Sequence, residues 1–126
     1  MSKIIRAINV MISNSDKISR VISSTTTPEQ AEYFFVYDQK HKWSISLGHD
    51  GVYFLHYYSG PESIEALASF DPEKWSFYDK FVTYSSKELK TREAYESLQE
   101  LYRVIQEKLY RVHEALDDII ESDDSF

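Results

Sequence analysis

Cysteine is absent from this 126-residue chain. Disulfide scaffolds, thiol catalysis and thiolate zinc sites are thereby excluded, and a Cys-free chain suits a reducing compartment. Glycine and proline number only 3 each, too few for collagen-like or low-complexity sequence, and the glycines are too few for a phosphate cradle. No G-x-S-x-G, P-loop or G-x-G-x-x-G motif occurs. No apolar run approaches the roughly 18 residues of a membrane span. The start, Met1-Ser2-Lys3-Ile4-Ile5-Arg6, is broken by charge and does not read as a signal peptide; the expected compartment is the cytoplasm. Base is also short. Lys and Arg total 14 against 21 Asp and Glu, a net charge of −7, which disfavours direct contact with nucleic acid or anionic lipid.

What the chain does have is rings: 2 Trp, 10 Tyr and 7 Phe within a 42% hydrophobic composition. That payload builds one core, and the length suits one domain. Residues 1–121 are expected to form it, with 122–126 as a disordered acidic tail. The acid is skewed toward the end. From Glu114 onward come six acids and no base, a distribution that attracts a basic partner at long range.

Hydrophobic spacing predicts an N-terminal helix over 3–22, with a weak point at Ser13-Asn14-Ser15-Asp16. The pairs Pro28-Glu29, Pro61-Glu62 and Pro72-Glu73 read as helix starts. The first and third are expected to be single turns, and the second to run from Pro61 to Ser69. Tyr33–Tyr37, Trp43–Leu47, Val52–Tyr58 and Phe81–Tyr84 read as strands, with Gly48-His49-Asp50-Gly51 as the clearest hairpin turn. Beyond Ser86, Ala94, Leu98, Leu101, Ile105, Leu109, Val112, Leu116 and Ile119 recur at steps of three and four. The expected class is α+β: an N-terminal helix, an antiparallel three- to four-stranded meander, a short helix and a long C-terminal amphipathic helix.

With two-residue turns in the hairpins, alternation sorts the strands into two faces. Phe34, Val36, Trp43, Ile45, Leu47, Val52, Phe54, His56 and Tyr58 form the expected core face. Tyr33, Phe35, Tyr37, Ser44, Ser46, Tyr53, Leu55 and Tyr57 form the other. That second set predicts a trough, rings on two sides and hydroxyls along the floor, suited to partner recognition. A continuous helix from Ser86 to Glu121 would run about 54 Å, past a domain whose radius of gyration is about 14 Å. Val112 and Leu116 would then need an external cover, with Asp117 and Asp118 beside them. Self-pairing into a homodimer is the simplest one; a kink near Lys90-Thr91 is the alternative.

Catalytic constellations are sparse. His41, His49, His56 and His113 show no HxxxH or HExxH spacing, so no zinc site and no other metal or cofactor is expected. His49-Asp50 reads as turn chemistry and His56 as a core-edge histidine against Trp43 or Ile45. The α-βββ-α-β-α order, together with the acidity, resembles the architecture of type III secretion chaperones, which are small acidic dimers. The fifth strand of that architecture is not evident in this sequence, and the resemblance implies a chaperone-like dimer. The expected function is a non-enzymatic protein-binding module, an acidic inhibitor, immunity-type protein or adaptor. It would act through Tyr33, Phe35, Tyr37, Ser44, Ser46, Tyr53, Leu55 and Tyr57 on the sheet and Val112, Leu116, Asp117 and Asp118 on the helix. The rivals are a small-ligand binder using the Tyr/Ser trough, an acidic nucleic-acid mimic and an enzyme built around His49, Asp50 or His56.

Overall fold

The computed structural model describes residues 2–24 and 32–123. The expected start at Pro28-Glu29 lies outside them, as do the last three residues of the expected tail. Helix α1 (Lys3–Ser13) begins where the Ser2 side chain accepts the Ile5 N–H, and it buries Ile5, Ile8 and Met11. It ends at the polar run foreseen as a weak point, and the expected helix does not continue to residue 22. A short 3-10 turn (Ser15–Lys17) leads into strand β1 (Ile18–Ser23). Ser19 faces Val36 while Ile22 faces Phe34, so Arg20 and Val21 oppose a single residue in a β-bulge, with Arg20 at φ 55°. The bulge puts Ile18 and Val21, three residues apart, on one sheet face, with Ile22 on the other. This irregularity gives Ile18, Val21 and Ile22 the spacing of a helix.

Four further strands follow: β2 (Glu32–Tyr37), β3 (His41–Leu47), β4 (Tyr53–Tyr58) and β5 (Phe81–Ser85). All pair antiparallel in sequence order, giving five strands where three or four were expected. Helices α2 (Ile64–Ala68) and α3 (Pro72–Phe77) lie between β4 and β5 in the chain. α2 starts at Ser63, whose hydroxyl caps Ala66, and not at Gly60-Pro61 as predicted. α3 starts as predicted, with Asp71 capping Lys74 and Pro72 in the first turn.

The C-terminal stripe does not form one rod. α4 (Ser86–Leu89) ends at Lys90, whose backbone is left-handed at φ 59°. Thr91 then caps the long helix α5 (Arg92–Leu109). A second left-handed residue, Arg111 at φ 56°, separates α5 from α6 (Val112–Glu121). The first break has a local cause: Ser85 and Thr91 both cap, and two adjacent caps favour two helix starts over one continuous helix. The second corner is bridged by a hydrogen bond between His113 and Glu107 and by an ion pair of Arg111 with Glu114.

α1 and α5 cover one sheet face, where Ile8, Met11, Leu98, Leu101 and Ile105 meet Tyr33, Phe35, Ile45 and Leu55. α2 and α3 cover part of the other face, where Ile64 and Leu67 join Phe34, Val36 and Tyr58. Lys42 fastens that side by donating to the Gly60 and Glu62 carbonyls, each at 2.5 Å. Among the described residues, no helix is long and apolar enough to cross a membrane.

The helix break at Lys90 makes a prediction of opposite sign to a continuous helix. In the observed left-handed cap, Lys90→Gly removes the Cβ penalty and raises stability by about 0.5–1 kcal/mol. Inside an unbroken helix the same change would lower it by about 1 kcal/mol. Urea unfolding of the two proteins distinguishes these outcomes.

Candidate functional site

The expected tyrosine and serine trough does not exist. The first hairpin turns through three residues, with Asp38 and Gln39 both left-handed and Tyr37 facing His41. The second turns through five, with Gly51 at φ 84° and Leu47 facing Tyr53. Each odd-length loop reverses the expected parity of β3 relative to its neighbour. Tyr33, Phe35, Tyr37, Tyr53, Leu55 and Tyr57 therefore share a face as predicted, but with Trp43, Ile45 and Leu47, while Ser44 and Ser46 lie on the opposite side. That aromatic face is the main core. Tyr33, Phe35, Tyr53 and Leu55 are buried beneath α1 and α5, and Tyr37 and Tyr57 are half-buried. Tyr102 of α5 sits 5.4 Å from both the Tyr33 and Tyr53 rings, and Gln106 donates to the Tyr33 hydroxyl at 3.2 Å.

On the other face, the strand pairing assembles a polar chain. Ser44 on β3 hydrogen-bonds the Tyr58 hydroxyl and donates to Glu32 Oε2, each at 2.7 Å. Glu32 Oε2 lies 3.7 Å from His56 Nε2, and His56 Nδ1 lies 2.8 Å from the Thr83 hydroxyl. The order is Tyr58, Ser44, Glu32, His56, Thr83. Glu32 stands between the serine and the imidazole, so this is not a serine–histidine nucleophile pair. His56 faces Ser44 and Thr83 across the sheet, not Trp43 or Ile45. Burial pushes the Glu32 carboxyl above its ordinary value, against the Ser44 hydrogen bond, and lowers His56 to about 4. Burial also raises the Tyr58 phenol, with the neighbouring Glu32 charge adding to it. Nδ1 of the neutral ring shares its hydrogen bond with the Thr83 hydroxyl, while Nε2 faces Glu32. Glu32, His56, Tyr58, Trp75 and Phe81 line a cavity of about 200 Å³ at this point.

The helical residues Val112, Leu116, Asp117 and Asp118 fall on α6, a separate helix, and not at the end of one continuous helix from Ser86 as expected. α6 buries none of its residues: Leu116 is 49% exposed, Ile119 65% and Ile120 70%, while Val112 is half-buried. Asp117 and Asp118 are exposed beside them. A larger hollow of about 780 Å³ lies at the α5–α6 corner. Among its charges, Arg103 pairs with Glu100 and Glu107, and Arg111 with Glu114. His49 and Asp50 occupy an exposed turn. Asp50 Oδ1 accepts the Val52 N–H at 3.2 Å.

Glu32, Thr83, Trp75 and Phe81 were not singled out in the sequence. Their signal was the alternation of Ser44, His56 and Tyr58 on one face, legible only once the hairpin register is known. Among the described residues, no group of three or more His, Cys, Asp or Glu side chains is placed to hold a metal ion. No family model matches the chain, and no curated protein or solved structure matches it. The likeness in element order to secretion chaperones thus has no structural match beside it.

His56 gives stability a pH dependence of definite sign. In the unfolded chain its pKa returns to about 6.5, so on acidification the unfolded state takes up this proton first. The His56 contribution is complete above pH 6.5 and is lost as pH falls toward about 4. Glu32, raised in the fold, acts in the opposite sense: its contribution is complete below the ordinary carboxyl value and is lost as pH rises through its folded value. The imidazole term is isolated by comparing wild type with His56→Gln. Between pH 7 and pH 5 wild type loses about 2 kcal/mol more than the variant in urea unfolding. Equal losses would remove the buried neutral imidazole from the account.

Proposed function

We propose that this protein is a non-enzymatic protein-binding module, and that α6 is its docking element. One contrast carries the reading. The apolar stripe is spent inside the core along α5, where Ala94, Leu98, Leu101 and Ile105 are buried, yet it continues uncovered along α6. Leu116, Ile119 and Ile120 have the i, i+3, i+4 spacing of a helix that lies in a groove. Each is worth about 1.5–3 kcal/mol when fully buried. Glu114, Asp117, Asp118 and Glu121 surround them, which favours a partner groove with a basic rim. Direct pairing of α6 with α6 would set acid against acid, which is unfavourable. A nucleic-acid mimic would use the same carboxylates, but the three apolar side chains among them favour a protein contact.

A specific observation supports a second reading, the homodimer. The chain carries an apolar groove of about 530 Å³ lined by Ala7, Val10, Met11, Tyr37 and Trp43, with Lys3, Arg6 and His41 completing the lining. Its character complements α6, so α6 of one copy fits the groove of another without acid meeting acid.

Replacing Leu116, Ile119 and Ile120 together by Ser leaves the fold intact, because none is buried, and weakens docking more than about tenfold. Light scattering over a concentration series distinguishes the occupants. A wild-type dimer lost in both the triple-Ser and the Lys3→Glu/Arg6→Glu proteins assigns the groove. A wild-type monomer moves the test to capture from the native host. There the expected result is a protein retained by wild type, lost with triple-Ser, and rebound in purified form with salt-sensitive affinity. A monomer for which no protein distinguishes wild type from triple-Ser overturns the proposal.

A further inference from the structure

The cavity on the Ser44 face of the sheet is independent of α6. Tyr58 comes from β4, Trp75 from α3 and Phe81 from the start of β5. Their ring centroids form a triangle with sides of 5.8 Å (Tyr58–Trp75), 6.0 Å (Tyr58–Phe81) and 6.0 Å (Trp75–Phe81). The rings are held from behind. The Tyr58 hydroxyl is fixed by Ser44 at 2.7 Å, and Trp75 packs on Phe70 at 5.0 Å and Tyr78 at 5.6 Å. Against this aromatic wall stands Glu32, the one acid lining the cavity, its side chain 26% exposed.

A mostly buried carboxylate normally has a cationic partner, because desolvation is costly without one. Among the described residues, no Lys or Arg pairs with Glu32; the imidazole 3.7 Å from it is His56, which burial keeps neutral. Lys42 is engaged with the Gly60 and Glu62 carbonyls, Arg20 with Glu65, and Lys74 lies over the Phe70 ring. The missing charge and the ring wall point to the same ligand chemistry. Aromatic faces attract a cation within about 6 Å of their centroids, and an alkylated ammonium spreads its charge over a surface that rings solvate better than water does. A volume of about 200 Å³ accommodates such a head group.

We propose that the cavity bounded by Glu32, Tyr58, Trp75 and Phe81 binds an organic cation, an alkylated ammonium group carried by a small molecule or by a modified lysine side chain. The rings supply the contact surface, and Glu32 supplies the charge and the selection against neutral ligands.

The test titrates the full chain with choline chloride at constant ionic strength, following the Trp75 indole N–H and neighbouring amides by NMR. A parallel titration uses 3,3-dimethylbutan-1-ol, the neutral isostere. Choline is expected to give a saturable shift, and the alcohol to bind at least about tenfold more weakly. Glu32→Gln, which keeps the acceptor for Ser44, and Trp75→Leu, on a half-buried helix residue, are each expected to weaken choline about tenfold. Circular dichroism confirms that both variants are folded. A short neutral peptide carrying trimethyl-lysine separates the two sources: tighter binding than choline assigns a protein side chain, and equal binding assigns a small molecule. No saturable shift with choline or the peptide, equal binding of the alcohol, or full binding by Glu32→Gln overturns the proposal.

Discussion

Burial of one aromatic sheet face beneath two helices is the interaction on which the rest of this structure depends. Tyr33, Phe35, Ile45, Tyr53 and Leu55 are covered by Ile8 and Met11 from α1 and by Leu98, Leu101 and Ile105 from α5. Apolar burial is the dominant favourable term in folding, and in this chain it fixes the register, because an odd shift would exchange Ile45 for Ser44 in the core. α5 spends Ala94, Leu98, Leu101 and Ile105 on this core, and the stripe that continues along α6 stays exposed.

The same register builds the second face. A strand pairing that buries Phe35 with Trp43 must align Phe34 with Ser44, and Ser44 with His56. The polar chain from Tyr58 to Thr83 follows from packing on the opposite side of the sheet. Its groups satisfy one another through short hydrogen bonds, as buried polar groups must. Burial opposes charge on both Glu32 and His56, and among the described residues no Lys or Arg offsets that cost at Glu32. The aromatic wall beside them is closed by α3, whose start was set by Asp71 and Pro72.

The class of fold was legible because strong local signals agreed: the β2 to β4 alternation, the Gly51 turn, and the capping by Asp71 and Ser85. The C-terminal stripe was legible as well, and so was the excess of apolar surface at Leu116. β1 was hidden by its bulge, which gives Ile18, Val21 and Ile22 a helical spacing. The hairpin faces were misread through loop length. Asp38 and Gln39 turn in the left-handed region and leave Lys40 as an extra residue, and no composition rule separates that from a two-residue turn on Gln39 and Lys40. A ring-rich strand set looks alike whether a partner or the protein's own helices cover it. Arg111 is neither glycine nor proline, so its left-handed backbone left no mark in the sequence, and the corner before α6 was invisible.

The exposed surface of this protein follows from a single division of the C-terminal stripe, used in α5 and free in α6. Hydrogen exchange of the dilute monomeric chain measures that division residue by residue. The expected result is strong protection across residues 97–105 of α5, near the global limit, with amides across residues 112–121 exchanging orders of magnitude faster. Protection of α6 equal to that of α5 in the monomer would show that its apolar side is already covered by the chain itself, and would contradict the account.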